Sequence, residues 1–185
     1  GGAHMHSRVG MAVPYLSDEF MERIKTCVEK FEQEGMLGWL YDEDRWPSGA
    51  AGGLVTSHIE YRLRLLRLTR TPLEDVPSKE EHIHTGKPWL LAAYDIELDE
   101  DGCLQRWEQI APDAQARGKK WYAYVVTNEP EPWYNGQTYI DVLNPKAIDA
   151  FIHTTFERYK EAVGDRFGKS VRSIFTDEPG VYYMN

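Results

Sequence analysis

The chain has 185 residues, enough for one domain with a real core but short of the ~250 that a complete eightfold β/α barrel needs. No apolar run approaches the ~20 residues required to cross a bilayer, which argues against a membrane protein. Its formal charge of −9 argues against a nucleic-acid partner, because phosphate binding is driven by Lys and Arg. Neutral substrates stay open. The 6 Trp and 11 Tyr suit a sugar-binding cleft, where apolar sugar faces lie on aromatic rings, and they suit a core equally well. The two cysteines, Cys27 and Cys103, match no metal or redox spacing, and nothing in their use requires an oxidising compartment. Cytoplasmic and secreted locations both fit.

The chain begins Gly1-Gly2-Ala3-His4-Met5, which is read either as native sequence whose true N-terminus lies upstream or as a cloning scar. From Leu16 to Glu34 the pattern is helical. Ser17 caps the start, and Asp18 and Glu19 meet the positive end of the helix dipole. Phe20, Ile24, Cys27, Val28 and Phe31 recur at intervals of three and four, which predicts one buried stripe and makes Cys27 a small buried hydrophobe. Gly35 ends the helix. Met36 to Tyr41 then reads as a short buried strand, followed at once by the polar burst Asp42-Glu43-Asp44-Arg45-Trp46-Pro47. Helix, tight turn, apolar strand and polar burst form the grammar of a parallel sheet.

The middle differs. Tyr61 to Arg70 alternates Leu with Arg, as a strand with one wet face does. A charged stretch, Glu74 to Lys87, reads as a loop in which His82 and His84 are solvated. Trp89 to Leu98 and Cys103 to Ile110 flank the turn Asp99-Glu100-Asp101-Gly102, and Lys120 to Thr127 adds a further strand. Residues 58–128 are therefore expected to form an antiparallel β meander inserted between βα units. The βα grammar resumes with Asn144 as a cap and Pro145 at the first helical position. Ile148, Phe151, Ile152, Phe156, Tyr159 and Val163 make the predicted buried stripe. Val171 to Phe175 forms the last strand, ending in Thr176-Asp177-Glu178-Pro179. The pattern implies an α/β fold, a partial (β/α)8 TIM barrel spanning 1–185 with the meander inside it.

Two buried strands end in carboxylates, Asp42, Glu43 and Asp44 after the first and Asp177 and Glu178 after the second. In parallel β/α folds the C-terminal strand ends gather on one face, and that face holds the site. Cleaving a glycosidic bond needs a carboxylic acid to protonate the leaving oxygen and a second carboxylate as nucleophile or base. Glu178 is the candidate acid. The plainer alternative is that each acidic group caps the element that follows. Asn128-Glu129-Pro130 is a competing strand-end acid, ranked below Glu178 because it closes the meander. His6 and Arg8 reach the same open face if residues 1–5 form a strand tail; otherwise they belong to a surface loop. Trp46 or Trp133 would stack on a sugar ring. The His spacing makes no case for zinc, no cofactor is implied, and calcium at Asp42 or Asp44 stays open without support.

Three strings carry a resemblance. They are His6-Ser7-Arg8-Val9-Gly10; Tyr41-Asp42-Glu43-Asp44-Arg45-Trp46-Pro47-Ser48-Gly49 with Ala51-Gly52-Gly53; and Phe175-Thr176-Asp177-Glu178-Pro179. Together with Tyr139 to Pro145 they resemble bacterial α-L-rhamnosidase-like glycoside hydrolases over essentially the whole chain. The resemblance implies a TIM-barrel catalytic domain that begins upstream of Gly1, with Gly1-Gly2 native and this chain running from the end of the second barrel strand to just beyond the fourth. It puts Glu178 at the general-acid position and Asp42, Glu43 and Asp44 on a loop lining the sugar subsite. It also implies a second catalytic carboxylate on a later strand, outside these residues. The expected function is cleavage of a glycosidic bond, with a non-catalytic carbohydrate-binding remnant and a metal-dependent hydrolase using Asp42 to Asp44 as the alternatives. The expected partner is a carbohydrate, and open sheet edges would favour self-association.

Overall fold

A computed structural model describes residues 1–8 and 10–180. In chain order it contains β1 (Gly2–His4), α1 (Asp18–Gln33), β2 (Leu37–Tyr41), β3 (Arg64–Thr69), α2 (Lys79–Thr85), β4 (Trp89–Leu98), β5 (Leu104–Ile110), β6 (Lys119–Thr127), α3 (Pro145–Phe151), α4 (Glu157–Val163) and β7 (Ile174–Phe175). A π-helical turn, Ile152–Phe156, joins α3 to α4. The chain forms two compact units, Gly1–Arg62 with Glu129–Asn185, and Leu63–Asn128.

The expected partial TIM barrel is not what the chain forms. Among the described residues, the strands divide into a 3-stranded parallel sheet, ordered β1-β2-β7, and a 4-stranded antiparallel sheet, ordered β3-β6-β4-β5. Among these residues no sheet closes on itself, and the architecture is mixed α/β. An apolar strand followed by a capped helix specifies parallel pairing with a neighbour. Closure needs a matched strand number, tilt and stagger, which no local pattern encodes.

In the first unit α1 starts as its composition dictates, with the Ser17 hydroxyl accepting from the Phe20 N–H at 3.2 Å. Phe20, Met21, Ile24 and Val28 are its buried residues. Cys27, expected among them, is exposed. It lies about 60° around the helix from Ile24 and about 20° beyond Phe20, just outside the buried arc that runs from Phe20 to Met21. The second long helix departs further from its predicted stripe. Ala147, Phe151, Thr155, Tyr159 and Val163 face inward, while Ile152 is 42% exposed. Five inward positions spaced by four would sweep roughly 160° around a straight α-helix. The wider π turn at Ile152–Phe156 takes up that drift and keeps one face inward. The Tyr159 hydroxyl then donates to the Tyr41 carbonyl at 2.8 Å, tying α4 to the end of β2.

β2 is the centre of the parallel sheet. It pairs with β1 from Gly2↔Leu37 to His4↔Trp39 and with β7 at Leu40↔Ile174 and Tyr41↔Phe175. The ladder runs on past both named strands, with the Asp42 N–H donating to the Phe175 carbonyl at 3.2 Å. Gly2 and Gly38 have physical reasons to lack a side chain. A Cβ on Gly2 would lie 2.6 Å from the Leu37 carbonyl oxygen, and one on Gly38 would lie 2.7 Å from the Phe31 ring.

The second unit is the antiparallel sheet. One face carries the group Asp95, Glu97, Arg106 and Glu108, in which Asp95 accepts from Arg106 at 2.6 Å and from the N–H of Gly118 at 2.8 Å. The stretch expected as a solvated loop holds α2, capped by Ser78, and buries His82, whose Nδ1 lies 2.5 Å from the Lys87 carbonyl. The other face is apolar and open: Leu66, Leu68, Leu91, Leu104 and Trp107 are all exposed.

Candidate functional site

The C-terminal ends of β1, β2 and β7 carry the polar residues of the parallel sheet, the position at which such sheets place ligands. Asp42 leaves β2 fully buried. The Ser48 hydroxyl donates to one of its oxygens and the Thr176 hydroxyl to the other, each at 2.6 Å. Asp177 is locked to the same loop through two bonds with Ser48, its N–H donating to the hydroxyl at 2.9 Å and its carbonyl accepting the Ser48 N–H at 2.8 Å. Its carboxylate accepts from the Tyr41 hydroxyl at 3.2 Å. Strand ends 134 residues apart are therefore one polar structure. Burial pushes the Asp42 carboxyl upward while the Ser48 and Thr176 hydroxyls pull it down, and burial wins. Burial and the Asp177 charge push the Tyr41 hydroxyl up as well.

Glu43 organises the loop after β2. Its carboxyl is 1% exposed and accepts the N–H groups of Asp44 at 2.9 Å, Gly49 at 3.0 Å, Ala51 at 2.7 Å and Gly52 at 2.5 Å. Ala51 and Gly52 take left-handed φ values of 51° and 64°, which turns successive N–H groups toward one concavity. Burial pushes the Glu43 carboxyl up to about 8, against the pull of the Asp44, Gly52 and Gly49 amides. The site-facing roles expected for Asp42 and Glu43 thus fall on groups whose oxygens already meet protein donors.

Asp44, largely buried, lines a cleft of about 330 Å³ together with Arg8, Tyr15, Arg45, Leu54 and Asn135 among others. Arg45 bonds Asp44 at 3.1 Å and Asn135 at 2.9 Å. Asn135 in turn donates to Asp44 and to the Gly52 carbonyl, both at 2.9 Å. Trp46 and Trp133 meet edge to face, with centroids 5.0 Å apart, and the Trp133 N–H donates to the Trp46 carbonyl at 2.7 Å. The Arg8 guanidinium lies 5.1 Å over Trp46, and that of Arg45 lies 5.7 Å over Trp133. His6 stacks on Tyr41 at 3.8 Å.

Most of the sequence candidates are thus brought together: His6, Arg8, Asp42, Glu43, Asp44, Trp46, Trp133 and Asp177 belong to one connected region of the first unit. Glu178 follows Asp177, exposed, with a positive φ of 42°. Non-glycine residues adopt that conformation uncommonly and at a cost. Glu129 is exposed on the segment after β6. Val9, inside the first motif, lies outside the described residues. Asn135 went unmarked by the sequence, where the only signal was the Asn-Gly pair at 135–136, a turn signature that says nothing of a partner 91 residues away. Among the described residues, no three His, Cys, Asp or Glu side chains form a group able to hold a metal ion.

The chain matches no model of a protein family, no curated protein and no solved structure.

Proposed function

We propose that this chain acts on carbohydrate, as a glycoside hydrolase of the α-L-rhamnosidase-like kind with Glu178 as general acid. The observation that carries the reading is the junction of two parallel strand ends, in which Ser48 and Thr176 both bond Asp42 and Ser48 also bonds Asp177, so that Glu178 follows directly from a fixed anchor. The reading rests on these carboxylate-bearing ends and on the motifs, and does not require a closed barrel. The Glu178 carboxyl gives its proton to the glycosidic oxygen as the bond to the sugar carbon breaks. Asp42 and Glu43 hold the loop. Asp44, Arg45 and Asn135, on the cleft wall, meet sugar hydroxyls. The second carboxylate is either Glu129 or a residue outside this chain.

Turnover of a panel of aryl glycosides, α-L-rhamnoside included, tests this. Glu178→Gln is expected to lower turnover by about 10²–10⁴-fold for substrates with poor leaving groups; full activity in that variant ends the assignment. A second reading, a binding module without chemistry, is favoured by one observation: the Asp42 and Glu43 oxygens are engaged by hydroxyl and amide donors. Sugar binding by calorimetry with no turnover would select it. The metal-dependent alternative draws no support from Asp42 and Glu43, for the same reason.

A further inference from the structure

We propose that the cleft selects a sugar bearing a carboxylate, a uronic acid residue, through Arg8. This rests on the carbohydrate reading and deepens it. A guanidinium lies over one face of each indole here, Arg8 over Trp46 and Arg45 over Trp133. The aromatic pair thus steadies two cations.

Those cations are not equivalent. Arg45 is satisfied, bonded to the Asp44 carboxylate at 3.1 Å and to Asn135 at 2.9 Å. Asp44 cancels its charge. Arg8 lines the same cleft, and among the described residues its guanidinium meets no carboxylate and makes no hydrogen bond, only the contact with Trp46. It leaves the cleft wall with one uncompensated positive charge in a chain whose net charge is −9. A planar fork of N–H donors, always charged and steadied by an indole, is suited to a carboxylate in two-point contact. Asp44 and Asn135 supply the hydroxyl-binding groups beside it. The cleft, about 330 Å³, is at the lower end of ligand-pocket sizes, ~300–1,000 Å³, which suits one sugar residue at a time.

Calorimetry with the full chain tests this, using short oligomers of galacturonic and glucuronic acid, their methyl esters, a neutral rhamnoside and acetate. The acids are expected to bind about 10- to 100-fold more tightly than the esters. Arg8→Gln should abolish that difference, and Arg8→Lys should retain part of it, because the charge remains while the fork is lost. Equal affinity for acid and ester in the unmodified chain overturns the proposal. If the rhamnoside then still binds, the carbohydrate reading survives alone. Acetate binding as tightly as the acids, with the same loss in Arg8→Gln, would make this a simple anion site and overturn the sugar specificity. Binding by none of the sugars removes this proposal and the carbohydrate reading together.

Discussion

Each oxygen of Glu43 accepts two backbone N–H groups, from Asp44 and Gly52 on one side and from Gly49 and Ala51 on the other. An alanine at this position removes both acceptors and leaves four loop amides without their partner, whether the carboxyl is charged or neutral. Glu43→Ala is therefore expected to cost about 2–4 kcal/mol of stability, read as a lowered urea midpoint. A change under about 0.5 kcal/mol, the usual range of surface substitutions, would mean that the loop does not depend on this carboxyl. The string Asp42-Glu43-Asp44 was legible as a group of acids at a strand end. Their division of labour was not. The backbone passes from a parallel strand into a turn, and which of three consecutive carboxylates points into the N–H concavity depends on the φ values at Ala51 and Gly52, eight and nine residues later.

At the level of elements, local chemistry served well wherever a strand or helix was decided by its own composition. α1 starts at its cap, β2 lies in its apolar run, and the alternating stretch, the hairpin at Asp99–Gly102 and the final strand of the meander are all strands or turns. The departures occur where a neighbour decides. Cys27 sits on the rim of α1, the π turn redirects Ile152 outward, and His82 is buried because a helix of 7 residues forms where charge alone suggested a loop. The antiparallel sheet shows the same division. Alternation in β3 placed Leu66 and Leu68 on one face but could not say whether anything covers them. They are 62% and 54% exposed, beside Trp107 at 61%, and β3 and β5 are the edges of their sheet. Open apolar faces and unpaired edges drive association. Light scattering is expected to show self-association that rises with concentration and is reduced in the double variant Leu68→Lys, Trp107→Lys. If this variant associates as strongly as the unmodified chain, the contact lies elsewhere.

For the whole molecule, buried carboxyls and paired carboxyls respond to pH with opposite sign. In the first unit, burial raises the carboxyls of Asp42 and Glu43, while the Arg166 guanidinium lowers Asp165. A raised carboxyl stabilises the fold below its unfolded pKa of ~4, and that stability is lost as pH climbs through the folded value, about 8 for Glu43. In the second unit, hydrogen bonds from Arg106 lower Asp95, and the Cys103 N–H lowers Asp99. Their contribution is present above pH ~4 and lost as pH falls through the folded values. Melting temperatures between pH 3 and 9 should therefore fall on both sides of a mildly acidic maximum. Glu43→Gln is expected to flatten only the alkaline side, and Asp95→Asn only the acidic side. A variant that alters both limbs equally would contradict the assignment of the two effects to separate groups.

The sequence by itself determined the elements that depend on short-range physics: where α1 starts, which runs form strands, that the meander is antiparallel, and that acids crowd the ends of β2 and β7. Periodicity, capping and turn chemistry act within a few residues, so they are written locally. Only the tertiary structure decided that the parallel strands form a 3-stranded sheet rather than part of a closed barrel, that Glu43 faces inward while Asp44 faces the cleft, and that Arg8 and Arg45 lie on Trp46 and Trp133. The sheet and the cation–ring contacts depend on groups 35 to 134 residues apart meeting in space, and the turn of Glu43 depends on backbone angles eight and nine residues on; no spacing along the chain records such a meeting.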